Sequence, residues 1–422
     1  MTIDAGLSML RATARSAATL LLLALSCACS VASGQLHDQP APPAGPAPSL
    51  RIPVAPLGYE SPSAFYLTAR LSSASLGFFD QNRLLFTFRI GGLLPRLPSD
   101  RSDDDDQEIR AVVLDLRTGK VLAQTQWRMH DRGQYLWPFI GGQFLLRIRD
   151  SLFTLGPSLE LHPWMTSSAQ LRAVELSPDR ATIAIETSAP PQPHTGPTLG
   201  GAPVSEDQPV RVSILASASP AHLLAVSQAE QAVLVPLTSH GLLDATQDKL
   251  IGLWDIHDVP FRGSPRFLGN VRSTCHPTVQ PLSATVALVS ACAPDLDLRP
   301  VYGISTVTGK ELWQANWQSK YVWGWFDCAL DGSRFAYESI ESTEPVNAFG
   351  SLDEGELGRQ LAGVYDTDTG KPVLVLDATP VLSAGQNLAL SPDGRRLAIL
   401  RHGAIEVYDL PPVAPAAAKR HP

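Results

Sequence analysis

Charge is scarce in this chain. Only 18% of its 422 residues are Asp, Glu, Lys or Arg, and they sum to −8 at neutral pH. A nucleic-acid surface depends on clustered Lys and Arg, so this balance argues against one. Long apolar runs are also missing: none approaches the ~20 residues of a membrane-spanning helix. Past the first 33 residues there is no sustained 3.6-residue apolar period, so helices are expected to be few. Histidines, ten in all, form no His-x-His or His-x-x-x-His pair, and the body of the chain has no Cys-x-x-Cys. A Gly-x-Ser-x-Gly nucleophile elbow and a Gly-x-x-x-x-Gly-Lys-[Ser/Thr] phosphate loop are absent too. No catalytic, cofactor-binding or metal-ligating set is therefore expected.

What is abundant points one way. Apolar residues make up 44% of the chain, enough for a large core, while 36 prolines and 31 glycines punctuate it. Many short strands joined by many turns fit that mixture, and a helical bundle does not.

The N-terminus (1–33) has the order of an export signal. Arg11 and Arg15 precede the apolar run 17–25, and small residues follow through Ser33. Met9 as the start would bring the arginines close to the terminus. Cys27 and Cys29 end the apolar run. Ala24-Leu25-Ser26-Cys27 resembles a degenerate lipobox without its usual leucine three residues before the cysteine. Either is open: simple release into the periplasm or outside the cell, or lipidation of Cys27 or Cys29 and an outer-membrane anchor. A Pro/Ala-rich linker (34–50), a folded body (51–410) and a Pro/Ala-rich tail (411–422) follow. In an oxidising compartment Cys275 and Cys292 are the natural disulfide pair, on neighbouring antiparallel strands. The alternative leaves them, like Cys328, as buried thiols.

Within the body, apolar and β-branched runs of four to seven residues alternate with turns, as in Leu84-Leu85-Phe86-Thr87-Phe88. The stretches 188–209, 103–106 and 351–358 read as loops. Two turn types recur. Thr118-Gly119-Lys120, Thr308-Gly309-Lys310 and Thr369-Gly370-Lys371 each follow a strand bearing Asp or Ser, which caps a hairpin that Gly closes with φ > 0. Leu176-Ser177-Pro178-Asp179, Leu330-Asp331-Gly332-Ser333 and Leu390-Ser391-Pro392-Asp393-Gly394 each lead into another strand, linking an inner strand to the next one out.

Ser391-Pro392-Asp393-Gly394 before a strand and Tyr408-Asp409-Leu410 at the end of the next resemble a WD40-type blade, and Leu253-Trp254-Asp255-Ile256 carries the Trp-Asp pair. Thr308-Gly309-Lys310-Glu311-Leu312-Trp313 resembles the repeat of quinoprotein-like propellers. The resemblance implies an all-β β-propeller. Blade-closing strands near Asp115, Leu155, Ile214, Asp255, Ser305, Asp366 and Asp409 recur every ~40–60 residues and give seven four-stranded blades, with six or eight still open. A segment within 51–69 is expected to close the ring.

For function, the repeat carries no cofactor with it, and the lysines of the Thr-Gly-Lys turns read as surface residues. The acidic run 103–106 reads as a solvated loop, not a calcium site. Trp313, Trp317, Tyr321, Trp323 and Trp325 read as packing between blades, with a carbohydrate or peptide site as the alternative. The leading expectation is an exported, monomeric, non-catalytic platform for an envelope or extracellular protein partner, touching membrane only through a lipid anchor. The rival is a lactonase- or lyase-like propeller enzyme with a metal-assisted site in its central channel.

Overall fold

The computed structural model describes residues 46–61, 74–95, 97, 106–130, 133–189, 209–230, 233, 235–248, 250–294, 298–318, 320–343, 354–379 and 386–413. The chain divides into a leading unit, 1–43, outside the described residues, and a body from residue 44 onward. Cys27 and Cys29 lie in the first and are not described. The body forms seven antiparallel sheets, and its described residues contain no α-helix, only three single-turn 3-10 segments. It is a seven-bladed β-propeller.

Blade one sets the pattern, with strands Ala74–Phe78, Arg83–Leu94, Asp106–Asp115 and Val121–Met129 in sheet order. Blades two to six follow over 136–166, 171–229, 235–272, 278–318 and 321–377. In blade four the innermost strand contracts to a single bridge, Leu237↔Leu242, beside three full strands. Blade seven takes three strands from 388–409, and its outer strand, Leu50–Pro53, comes from the start of the body. That strand pairs with Ala404–Asp409, so the ring has no open edge.

Packing explains why the strands read as unbroken apolar runs rather than alternating ones. Along Arg83–Leu94, successive side chains point to opposite faces. Leu84, Phe86 and Phe88 join a core shared with blade seven, while Leu85 joins the core shared with blade two. Among the described residues there are seven such buried clusters, and each spans one pair of neighbouring blades. Each fully buried Phe or Leu contributes about 1.5–3 kcal/mol relative to exposure, so stability is distributed around the ring.

The two turn types occupy one face. Ser391 Oγ bonds Asp393 and accepts from Arg396 N at 2.8 Å, closing the link from inner to second strand. In the third-to-fourth-strand turns, Gly119, Gly309 and Gly370 sit at φ +70, +73 and +64°. Asp366 Oδ1 there accepts from Thr369 N at 2.9 Å.

Two loop expectations are corrected. Asp106 is no part of a solvated acidic loop: it opens the third strand of blade one, fully buried. Its burial is made possible by cations 22 and 43 residues further along the chain. Within 351–358, a 3-10 turn covers Glu354–Glu356 and a strand starts at Leu357. The stretch 190–208 lies outside the described residues.

Candidate functional site

Strand direction divides the connections between two faces. First-to-second and third-to-fourth connections are the short turns above. Second-to-third and blade-to-blade connections emerge on the opposite face. Every long second-to-third connection, 95–105, 189–209 and 343–356 in blades one, three and six, therefore starts and ends on that second face, here called the loop face.

The loop face also holds a cavity of about 430 Å³ between blades two and three. Its wall includes Gln134, Trp137, Arg147, Gln170, Arg172 and Glu175. Arg147 is committed to the frame, donating to the Arg172 carbonyl at 3.1 Å. Arg172 is exposed and approaches Gln170 Oε1 at 3.5 Å. Nearby, Asp106 accepts from Arg128, from Arg149 at 3.3 Å, and faces His130 Nδ1 at 3.1 Å. The loop-face side of blades one to three thus carries several arginines, two of them, Arg128 and Arg149, held by the buried Asp106 carboxylate.

Carboxylates further in serve the framework. Glu175 Oε2 accepts from Val235 N at 3.0 Å and Glu186 Oε1 from Val233 N at 3.2 Å, so blade three holds the contracted inner segment of blade four. Burial pushes Glu175 up to about 7, against the hydrogen bond from Val235, and neighbouring Glu186 adds to the rise. In blade six, Glu338 Oε1 accepts from Gln360 Nε2 at 2.6 Å, and that nitrogen lies 3.4 Å from Asn387 Oδ1 of blade seven. Burial pushes Glu338 up to about 8, held back by its bonds with Asn387 and Gln360. Among the described residues no group of three His, Cys, Asp or Glu is placed to hold a metal ion.

The aromatic run resolves into blade packing and a shallow outer pocket. Trp313 is buried between blades five and six, its indole N–H donating to Thr367 O at 2.9 Å. Trp317 stacks on Tyr337 with centroids 4.4 Å apart and, with Tyr365, lines a cavity of about 220 Å³. Trp325 is half-buried, while the side chains of Tyr321 and Trp323 are outside the described set. Cys275 and Cys292 are disulfide-bonded, 17 residues apart, joining the blade-four-to-five connection to the end of an inner strand pair in blade five. The ring of Trp254 lies edge-on to His276 beside it, at 4.8 Å. Two residues that sequence patterning passed over project from the loop face of blade four: Leu250 and Ile251, 65% and 97% exposed. The only signal for them was an aliphatic pair sitting between turn residues.

No family model matches the sequence, and no curated protein does. Solved structures do resemble it. One is an acylaminoacyl peptidase in complex with Z-Gly-Gly-Phe-chloromethyl ketone, at 9% identity and TM-score 0.48, covering 84% of this chain and 53% of that one. Another is an oligogalacturonate lyase from Vibrio parahaemolyticus, at 9% identity and TM-score 0.44, covering 80% and 91%. A third is the C-terminal WD40 domain of Sif2, at 9% identity and TM-score 0.38, covering 86% and 98%. The chain spans about half the length of the peptidase. These are likenesses of fold, and the seven-bladed ring itself rests on the strand pairing above.

Proposed function

We propose that this chain is an exported, non-catalytic β-propeller that binds a protein of the cell envelope or exterior through its loop face. The observation that carries the reading is the asymmetry of the connections. Tight, internally bonded turns occupy one face, and the long connections 95–105, 189–209 and 343–356 all belong to the other. A rigid scaffold with its variable connections on one side is the usual arrangement of a binding surface. The same face carries Arg128, Arg149 and Arg172 and the aliphatic tip Leu250-Ile251. Apolar anchors flanked by charge are what a protein interface uses. The buried carboxylates Glu175, Glu186 and Glu338 each accept a hydrogen bond from the protein itself, with Glu186 Oε2 and Glu338 Oε2 unpartnered among the described residues.

The test is affinity capture from envelope extracts with the processed chain as bait. A partner should be retained by the wild type and by a turn-face variant, Lys120→Glu/Lys371→Glu. It should be lost with the loop-face variant Arg172→Glu/Ile251→Asp. Equal capture by both variants, or none by the wild type, would overturn the reading. Mass spectrometry of the mature N-terminus decides whether Cys27 or Cys29 carries lipid.

A further inference from the structure

The groove between blades five and six holds two tryptophans that are treated differently. Trp313 and Trp317 stand on one outer strand, Glu311–Gln318, and both face blade six. Trp313 is 9% exposed, and its indole N–H is bound to Thr367 O. Trp317 is half-buried, and its indole N–H has no acceptor among the described residues. An enclosed indole usually finds a partner, as Trp254 does by donating to Ser273 O at 3.1 Å. The Trp317 nitrogen is not among the enclosed, unbonded polar atoms either, so it faces solvent. One ring closes the core, and the other keeps a free donor.

Blade six shapes the facing wall with glycine. A Cβ at Gly363 would lie 2.7 Å from Cε2 of Tyr365, and one at Gly324 would lie 2.6 Å from Cε2 of Tyr337. Each tyrosine ring therefore lies across a glycine. Gly363 pairs with Tyr337 on one side and with Val375 on the other, which leaves a gap in the row of side chains. Val375 is 49% exposed at the edge of that gap. Trp317 stands over it, its ring centroid 4.4 Å from that of Tyr337 and 6.2 Å from that of Tyr365. These residues line the cavity of about 220 Å³, and no ionised side chain lines it with them.

We infer that this groove is a second binding site, which takes a proline-rich segment of another protein in the polyproline II conformation. Prolyl rings are rigid and apolar and seat between aromatic faces, and the segment is extended before it binds, so ordering it costs little. Its backbone presents carbonyls with no N–H of their own, and the free indole N–H of Trp317 is the donor such a carbonyl requires. The cavity is smaller than the ~300–1,000 Å³ of a small-molecule cleft, which suits one anchoring ring of a longer peptide. A sugar is less well matched, because its hydroxyls must also donate and no carboxylate lines the groove to accept. The loop-face connections take no part in this site, so its failure would leave the loop-face reading untouched.

The experiment titrates the full chain with acetylated, amidated octaproline, with a Gly-Ser peptide of the same length, and with cellohexaose. The readout is the indole N–H resonance of Trp317, assigned by its disappearance in Trp317→Phe, together with the affinity from calorimetry. Octaproline should shift that resonance to saturation and leave that of Trp254 in place, and the other two ligands should do neither. Trp317→Phe keeps an aromatic ring and removes the donor, and should weaken octaproline binding roughly tenfold. Val375→Lys changes only the half-exposed wall, and should weaken it by a similar factor through the charge placed against an apolar ring. No response to octaproline, an equal response to the Gly-Ser peptide, tighter binding of cellohexaose, or full affinity in either variant would each overturn the assignment.

Discussion

Trp313 on the outer strand of blade five donates its indole N–H to the carbonyl of Thr367, in the Thr-Gly-Lys turn of blade six, at 2.9 Å. Its ring also fills the space a Cβ at Gly370 would need, with Cδ2 2.5 Å from that point. The same contact recurs one blade back, where a Cβ at Gly309 would lie 2.2 Å from the carbonyl oxygen of Leu268. At Gly119 the nearest atom, on Ile52 of the ring-closing strand, is 3.7 Å away. Each turn thus serves as the seat for the outer strand of the preceding blade. Substituting Val should cost about 1–3 kcal/mol in backbone strain at all three positions. Gly309→Val and Gly370→Val should lose more than Gly119→Val because of the overlap. Chemical denaturation of the three variants checks the order, and equal losses would contradict it.

The buried acid Glu338 makes stability depend on pH. Its ordinary value of 4.5 is raised to about 8 in the folded chain. The native state therefore holds a proton that the unfolded state has released, and unfolding free energy falls as pH rises through that interval. The contribution is complete below about 4.5 and lost above about 8. Glu175, raised to about 7, acts in the same direction. Glu338→Gln should flatten the decline in melting temperature between these pH values. An unchanged slope would show that Glu338 titrates normally.

Reducing the Cys275–Cys292 bond, or replacing both residues with Ser, frees a 17-residue loop. Loop-closure entropy puts the loss at about 3 kcal/mol. Denaturation with and without reductant measures it directly. Because Cys328 is the remaining described cysteine and is unpaired, the doubly substituted protein should show no further response to reductant.

Asp106 neutralises a cluster that is cationic without it. Asp106→Asn leaves Arg128 and Arg149 facing each other beside His130, and should cost about 3–5 kcal/mol. A loss below ~0.5 kcal/mol, the range of an ordinary surface substitution, would mean the arginines find other partners.

The blades were legible because their determinants are local. Ser-Pro-Asp-Gly and Thr-Gly-Lys set turns by the backbone preferences of consecutive residues. Leu253-Trp254-Asp255-Ile256 lies on the third strand of blade four, with one more strand outside it. The strand that closes the ring, Leu50–Pro53, overlaps the start of the segment expected to supply it, 51–69. Blade four was less readable. Pro236 cannot donate to the ladder of its inner segment, and carboxylates of blade three support that segment instead. Asp106 looked like one more residue of an acidic run, since its arginines are far away in sequence.

The central claim is that a partner binds the loop face. Amide hydrogen exchange of the chain, free and in complex with the protein captured from envelope extracts, tests it most directly. The account predicts added protection in 95–105, 189–209, 248–252 and 343–356, with none in the turns at 115–120, 305–310 and 366–371. Protection centred on those turns would contradict it.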